Sequence, residues 1–504
     1  MGRKGTYMFE KITPEQAGIS SCYVTKFINT LNKRSMPMHS VLMMRGDKLF
    51  TENYWAPFNK DFCHRMYSQT KSYVSVAIGL LEEEGKLSLD DTIASHFPEK
   101  IYTDIPEVLK KQTIREMLTM TTVGMTPNAV NWFADKSFDD RTKFYFNAGR
   151  DHAIRSAGTG WAYDSNGSQV LSSLVEKLSG TSLFNYLNEK IFKHLGTFKT
   201  ATILKTRNGD SWGDSALVCT PRDMMSFARF VMNYGVWNGK RLMNEAYLRT
   251  ATTKQVDNTE HGGVYGNGYG YKIWITEQNG FAFVGMGGQF TICLPERDLI
   301  FVCTADTQGM AHAYDLIVSN FFDTIVDNLT DTALPDNASD LGKLEALSSS
   351  LTLYSMKGAE TSKKVKEYDG TVYTCLPNPM GITKFSLHFS EDGKTGEFRY
   401  TNEQGDKVLP FGINHNVFGK FPELGYSNDF GGLCTTDGFM YDDAVSAAWL
   451  QDNKIGIYVQ VIDRYFGNCT IYIAFKDEHA AVFMRKTAED FMQKYAGSIT
   501  AKKA

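Results

Sequence analysis

Apolar residues at Val24, Phe27, Ile28 and Leu31 repeat at helical spacing, and Thr13-Pro14-Glu15-Gln16-Ala17-Gly18 before them reads as a helix opening. The pattern then changes. His39 to Met44 and Lys48 to Trp55 read as two strands around the turn Arg45-Gly46-Asp47. A long helix is predicted after Ser68, carrying Val76, Ile78, Leu80 and Leu81, and further helical stretches at Ile114 to Met120, Val170 to Leu178 and Asp223 to Met232. Strands return at Tyr269 to Thr276, Phe281 to Val284, Phe290 to Leu294 and Leu299 to Thr304, and Tyr314 to Val326 reads as a closing helix. Strands at both ends with helices between predict an antiparallel sheet with flanking helices and an inserted helical region, an α/β (α+β) unit spanning residues 7–327.

After Asp327 the composition shifts to Asn, Asp, Thr and a Pro, followed by Ser348-Ser349-Ser350. Residues 328–367 therefore read as a linker, with a short helix at Leu341 to Leu347. From 368 to 504 the pattern alternates, as in Lys384-Phe385-Ser386-Leu387-His388-Phe389, with turns such as Glu391-Asp392-Gly393 between runs. That predicts an all-β domain, sandwich or barrel, ending in a short helix from Ala488-Glu489-Asp490-Phe491.

The 504 residues are enough for two or more domains. A net charge of −4 argues against a general nucleic-acid binder. Eight scattered cysteines without a C-x-x-C pair fit neither a zinc site nor a disulfide framework. The histidines show no metal-ligand spacing, and no cofactor or metal is expected. No apolar run approaches membrane-spanning length. Met1 to Glu10 lack the apolar stretch of a secretory signal, so the expected location is cytoplasmic. Oligomeric state is not legible.

The segment carrying the most chemistry is His64-Arg65-Met66-Tyr67-Ser68-Gln69-Thr70-Lys71-Ser72. On a helix, Ser68 and Lys71 share a face. A lysine that loses its proton can serve as base for a serine nucleophile at a helix start, where backbone N–H groups favour developing negative charge. The alternative is a capping serine with a solvated lysine.

Together with Gly79 to Gly85-Lys86-Leu87-Ser88-Leu89-Asp90-Asp91 and Phe97-Pro98-Glu99, this block resembles the serine β-lactamase and penicillin-binding-protein superfamily. It is most similar to the branch of class C β-lactamase-like esterases and 6-aminohexanoate-dimer hydrolases. The resemblance runs from about Ile12 to Val326. It implies a β-lactamase/transpeptidase-like fold, with Ser68 as nucleophile and Lys71 as base. It also gives a role to Gly160-Trp161-Ala162-Tyr163-Asp164-Ser165-Asn166. There Tyr163 would relay the proton and Ser165, two residues on, would contact substrate; the alternative is a buried, hydrogen-bonded tyrosine.

The third block is Phe283-Val284-Gly285-Met286-Gly287-Gly288-Gln289. Relatives carry Lys or His where Phe283 stands, a position that commonly binds a substrate carboxylate. The resemblance makes the Met286 N–H, with that of Ser68, the oxyanion hole. It places Phe283, Gly285, Gly287 and Gln289 along the substrate; a Gly-rich bulge is the alternative. Trp212, in Gly209-Asp210-Ser211-Trp212-Gly213, would stack on substrate from a pocket loop, whereas Trp161 and Trp274 read as core. Gly266-Asn267-Gly268 lacks the following helix of a dinucleotide loop.

These readings converge on a serine acyl-hydrolase forming an acyl-enzyme on a small ester or amide. Acyl transfer to an alcohol or amine is an alternative outcome of the same intermediate, and a catalytically weak sensor or scaffold an alternative use of the fold. Phe283 argues against penicillins, which present a carboxylate, and for uncharged substrates.

Overall fold

The computed structural model describes residues 9–124, 140–147, 155–262, 266–423, 440–464, 466–488 and 496–504. The chain divides into two units: 1–307 with 311–352, and 353–504 with 308–310.

The first unit is built on a seven-stranded sheet. Its spatial order is Glu10–Lys11, Lys48–Tyr54, Met38–Arg45, Leu299–Ala305, Gln289–Leu294, Phe281–Gly285 and Trp274–Ile275. All pairings are antiparallel except that of Glu10–Lys11 with Lys48–Tyr54. Side chains alternate between faces, as strand geometry requires. Phe281, Phe283, Ile300 and Val302 face the core that contains the Thr70–Glu83 helix. Ala282, Phe290, Ile292 and Phe301 face a second core with Phe27 and Phe321, from the helices Ser21–Lys33 and Ala313–Thr324. The Thr70–Glu83 helix is buried from Thr70 to Leu81 on every side. That explains its nearly continuous apolar composition, since a helix without a polar face belongs inside.

The predicted β-lactamase-like architecture is present, with local differences that have physical causes. The first helix starts at Ser21, capped by Ser20, and not at Thr13. Gly18 adopts φ +87°, packed where a Cβ would meet the Arg45 side chain and the Thr330 carbonyl, and this ends the preceding turn. Only Trp274–Ile275 of the predicted Tyr269 to Thr276 strand is extended, because Gly268 and Lys272 take positive φ.

Residues 328–367, expected as a linker with a short helix at Leu341 to Leu347, divide between the two units. Ala338–Ser350 is a helix whose Leu344 joins the core of Phe27 and Phe321, and Leu351 follows it there. The Leu351 carbonyl accepts from Ala56 N–H at 3.0 Å. The first unit therefore extends to Thr352, and residues 353 onward belong to the second.

The second unit is a ten-stranded sheet from Val372–Cys375 to Gly497–Lys503, antiparallel except where Gly412 and Ile413 pair in parallel with Ser446 and Ala447 and close it as a barrel. The predicted terminal helix at Ala488 to Phe491 falls largely outside the described residues; the strand His479–Ala488 runs up to it. No disulfide joins the described cysteines. Among the described residues no helix is long and apolar enough to cross a membrane, and no group of three or more His, Cys, Asp or Glu could hold a metal ion.

Candidate active site

Ser68 sits in a single 3₁₀ turn, Tyr67–Gln69, that runs directly into the Thr70–Glu83 helix. Tyr67 enters it with φ +49°, a region costly for a bulky residue and common at functional turns. Thr70 Oγ1 donates to the Tyr67 carbonyl at 2.7 Å and accepts from the Leu217 N–H at 3.1 Å. The capping alternative for Ser68 does not hold, because the helix cap is Gln69 and has no side-chain capping bond. Lys71 Nζ instead donates to Ser68 Oγ at 3.0 Å. Lys71 is 2% exposed, whereas Ser68 keeps access to solvent.

The second anchor of Lys71 is the Asp214 carbonyl, which accepts from Nζ at 2.6 Å. Asp214 is held in turn. Its carboxylate pairs with Arg141, and Arg141 also donates to Asn166 Oδ1 at 2.8 Å. Arg65 ties the same segment to the serine turn by donating to the Ser215 carbonyl and Oγ at 2.9 and 2.8 Å. Its guanidinium lies between the rings of Tyr67 and Trp212, 4.5 and 4.4 Å from their centroids. Trp212 is therefore a buried partner of Arg65, and the expectation that it stacks on substrate gives way to this packing role.

Tyr163 precedes the Ser165–Ser179 helix. Asp164 caps that helix through Gly167 N–H and also accepts from Thr122 Oγ1 at 3.1 Å. The half-buried ring of Tyr163 stacks on Trp274 at 5.9 Å, and Lys71 Nζ lies 5.2 Å from its centroid. Ser68, Lys71 and Tyr163, 95 residues apart along the chain from first to last, are thus brought together. Ser165 is the first residue of the helix and half-buried, while Asn166 beside it is turned inward to Arg141.

The strand Phe281–Gly285 closes against the serine turn. A Cβ on Gly285 would lie 2.1 Å from the Met66 carbonyl oxygen, so glycine is required there. Gly287 and Gly288 follow at φ +84° and +90° and make the turn into Gln289–Leu294. Met286 is 43% exposed, so its side chain faces solvent.

Two other expectations for this block change. Phe283 is fully buried among Tyr73, Phe227 and Phe281, so it lines the core and not the substrate. Gln289 is also fully buried, and its Nε2 donates to the Met286 and Ala305 carbonyls at 3.2 and 2.6 Å. It shapes the turn from behind.

Sequence reasoning missed two residues. Lys272 is 2% exposed, and its Nζ has no hydrogen-bond partner among the described residues. Burial pushes its amine down to about 7; Asp164 and Asp214 oppose this and Lys71 adds to it. It had no signal in one dimension, because it stands inside what reads as a strand. Tyr314 begins the closing helix region, and its hydroxyl reaches Gly287.

A model of the Beta-lactamase family matches residues 24–318, and the chain belongs to that family. It is a hydrolase-type protein of the serine β-lactamase and penicillin-binding-protein superfamily. Among curated relatives, the 6-aminohexanoate-dimer hydrolase of Paenarthrobacter ureafaciens is 24% identical over 277 residues, covering 52% of this chain and 70% of the relative. A solved structure from Bacillus anthracis, named as a candidate 6-aminohexanoate-dimer hydrolase, superposes with a TM-score of 0.51 at 19% identity over 64% of this chain and 87% of that one. A candidate β-lactamase from Bacteroides dorei gives a TM-score of 0.50 at 14% identity over 62% and 99%. At these identities the likeness concerns the fold.

Proposed function

We propose that the chain is a serine acyl-hydrolase acting on small, largely uncharged esters or amides through Ser68, Lys71 and Tyr163. The observation that carries this reading is the 3.0 Å contact of Lys71 Nζ with Ser68 Oγ, in a buried corner where the amine also donates to the Asp214 carbonyl. Ser68 Oγ attacks the carbonyl carbon, and its proton passes to Lys71 with Tyr163 beside it. The negative charge that forms on the carbonyl oxygen is met by the Ser68 and Met286 N–H groups, donors fixed before the reaction begins. Tyr163 gives its phenolic proton to the departing oxygen or nitrogen and takes up the one held by Lys71. Water then attacks the acyl-enzyme, and the same groups run in reverse to free Ser68 and a carboxylic acid.

The substrate class follows from Phe283. The resemblance sets Phe283 where relatives offer a cation to a carboxylate, and its ring, sealed in the core, brings no charge to the site. An ester or linear amide without a carboxylate beside the scissile bond suits such a site.

The test is labelling with a fluorophosphonate probe, which requires an activated serine. Wild-type chain should be labelled on the Ser68 peptide, and Ser68→Ala should lose both labelling and nearly all ester turnover while unfolding at an unchanged temperature. Turnover retained by Ser68→Ala would sink the mechanism.

A further inference from the structure

The turn that follows Gly285 is held by side chains that do not touch the serine. Tyr314 Oη accepts from the Gly287 N–H at 2.5 Å and donates to the Gly285 carbonyl at 3.4 Å. These two groups belong to the peptide units on either side of Met286. Gln289 Nε2, donating to the Met286 carbonyl at 3.2 Å and to the Ala305 carbonyl at 2.6 Å, secures the second of those units from another direction. Thr307 N–H donates to the Gly287 carbonyl at 3.0 Å.

A peptide unit is planar and trans, so its C=O and N–H point in opposite directions. A Gly285 carbonyl held towards Tyr314 turns the N–H of the same unit, that of Met286, the other way. The other side is where Gly285 abuts Met66, two residues before Ser68. Burial pushes the Tyr314 phenol up to about 12, against the pull of the Gly287 and Gly288 N–H groups, so the hydroxyl keeps its proton and can donate. Its ring is wedged edge-on against Phe290 at 5.1 Å, and it stands at the start of the Ala313–Thr324 helix, which is packed in the core.

We propose that Tyr314, assisted by Gln289, is a positioning residue that aims the Met286 N–H at the oxygen of the carbonyl bound to Ser68. This inference rests on the hydrolase reading above. A donor aimed in advance acts where charge develops, in the transition state more than in the ground state. Its loss therefore lowers kcat and leaves KM nearly alone.

The experiment compares wild type, Tyr314→Phe, Gln289→Met and Ser68→Ala with a short-chain p-nitrophenyl ester and with phenylboronic acid. The boronate bonds to the serine oxygen as a tetrahedral anion and probes the same donors. Tyr314→Phe keeps the ring against Phe290, and thermal unfolding checks the fold of each variant. The expected result is a kcat lower by roughly 10- to 100-fold, below the full loss of a donor. KM should stay within about twofold, the pH profile of kcat/KM should not move, and boronate affinity should weaken in parallel with kcat. Gln289→Met should show the same signature, and carries the test if Tyr314→Phe does not fold.

Unchanged kcat in folded Tyr314→Phe, with Ser68→Ala inactive, would overturn the role of Tyr314 alone. A shifted pH profile would overturn it too, by making Tyr314 part of the proton path. Activity retained in Ser68→Ala would remove the nucleophile, and this role with it.

Discussion

Gly285 and Met66 meet so closely that there is no room between them for a single carbon: a Cβ on Gly285 would stand 2.1 Å from the Met66 carbonyl oxygen. The contact joins the edge of the sheet to the turn that carries Ser68. Gly285→Ala must push the two apart, because the obstructing atom is backbone and cannot swing aside. Displacement of about 1 Å in a reacting site costs on the order of 10²-fold in rate. We expect Gly285→Ala to lose at least about that much turnover while remaining folded. Near-normal kinetics with p-nitrophenyl acetate would show that the strand and the serine turn work independently.

Tyr163→Phe retains the stacked ring beside Trp274 and removes only the hydroxyl. Turnover should fall roughly 10²-fold or more, the scale of a lost acid–base group. Fluorophosphonate labelling of Ser68 should slow less, since fluoride needs little help in leaving. A variant as fast as wild type would hand the relay to Ser165 or to water. Ser165→Ala should be the milder change.

Both cores of the catalytic unit were legible in the chain, because buried strands and helices declare themselves by their apolar runs. The Ser68 turn was legible as well, since its residues lie within a few positions of one another. What could not be read was contact across long separations. Trp212 reads as a pocket-loop aromatic that stacks on substrate, and only the fold shows that it covers Arg65. Phe283 was placed correctly along its strand, but which core its face joins depends on the helix stacked above. Lys272 and Tyr314 owe their positions to strands and helices closing around one point. The helix expected at Leu341 to Leu347 runs from Ala338 to Ser350, and its polar composition hides the one buried position, Leu344, by which it docks.

Lys272 gives a prediction about stability and pH. Its amine falls from the ordinary 10.5 to about 7 in the folded chain, mainly through burial. Between those values the unfolded chain holds a proton that the folded chain lacks. Stability should therefore rise with pH across this window, by up to about 1.4 kcal/mol per unit, and level off below about 7 and above 10.5. Lys272→Met removes the ionisable group, so this contribution to the slope should vanish and the chain should be more stable than wild type near pH 7.5. Urea unfolding at pH 7, 8 and 9 makes the comparison. Parallel slopes for the two proteins would mean that Lys272 keeps its proton when folded.

The segment after Asp327 can be tested by where the chain is ended. Thr330 N–H donates to the Gly18 carbonyl at 2.8 Å, and Leu334 N–H to the Glu15 carbonyl at 2.8 Å. Leu344 and Leu351 are buried. A chain stopping at Asp327 loses all of these, and each buried leucine is worth roughly 2–5 kcal/mol. It should aggregate or melt well below a chain stopping at Thr352. Equal melting temperatures would return the segment to the status of a linker.

Substrate preference follows from the missing cation. A carboxylate buried unpaired costs several kcal/mol, so kcat/KM for a short-chain p-nitrophenyl ester should far exceed that for a chromogenic cephalosporin. The reverse order would mean that a cation from elsewhere in the site takes the carboxylate.

The closure of the second unit through Gly412 and Ile413 bears on how the protein behaves in a crowded solution. An open sheet offers a row of free N–H and C=O groups on which another chain can add a strand and begin to polymerise. Here the sheet returns on itself, and its strand order ends on one side at Gly405–Ile413, which makes the closure through its last two residues, and on the other at Val417–Lys420, four residues long. Its last side chain, Lys420, is paired with Asp442 at 2.8 Å, which puts charge on that border. So short and charged a border is a poor template for intermolecular strand exchange on that side of the sheet.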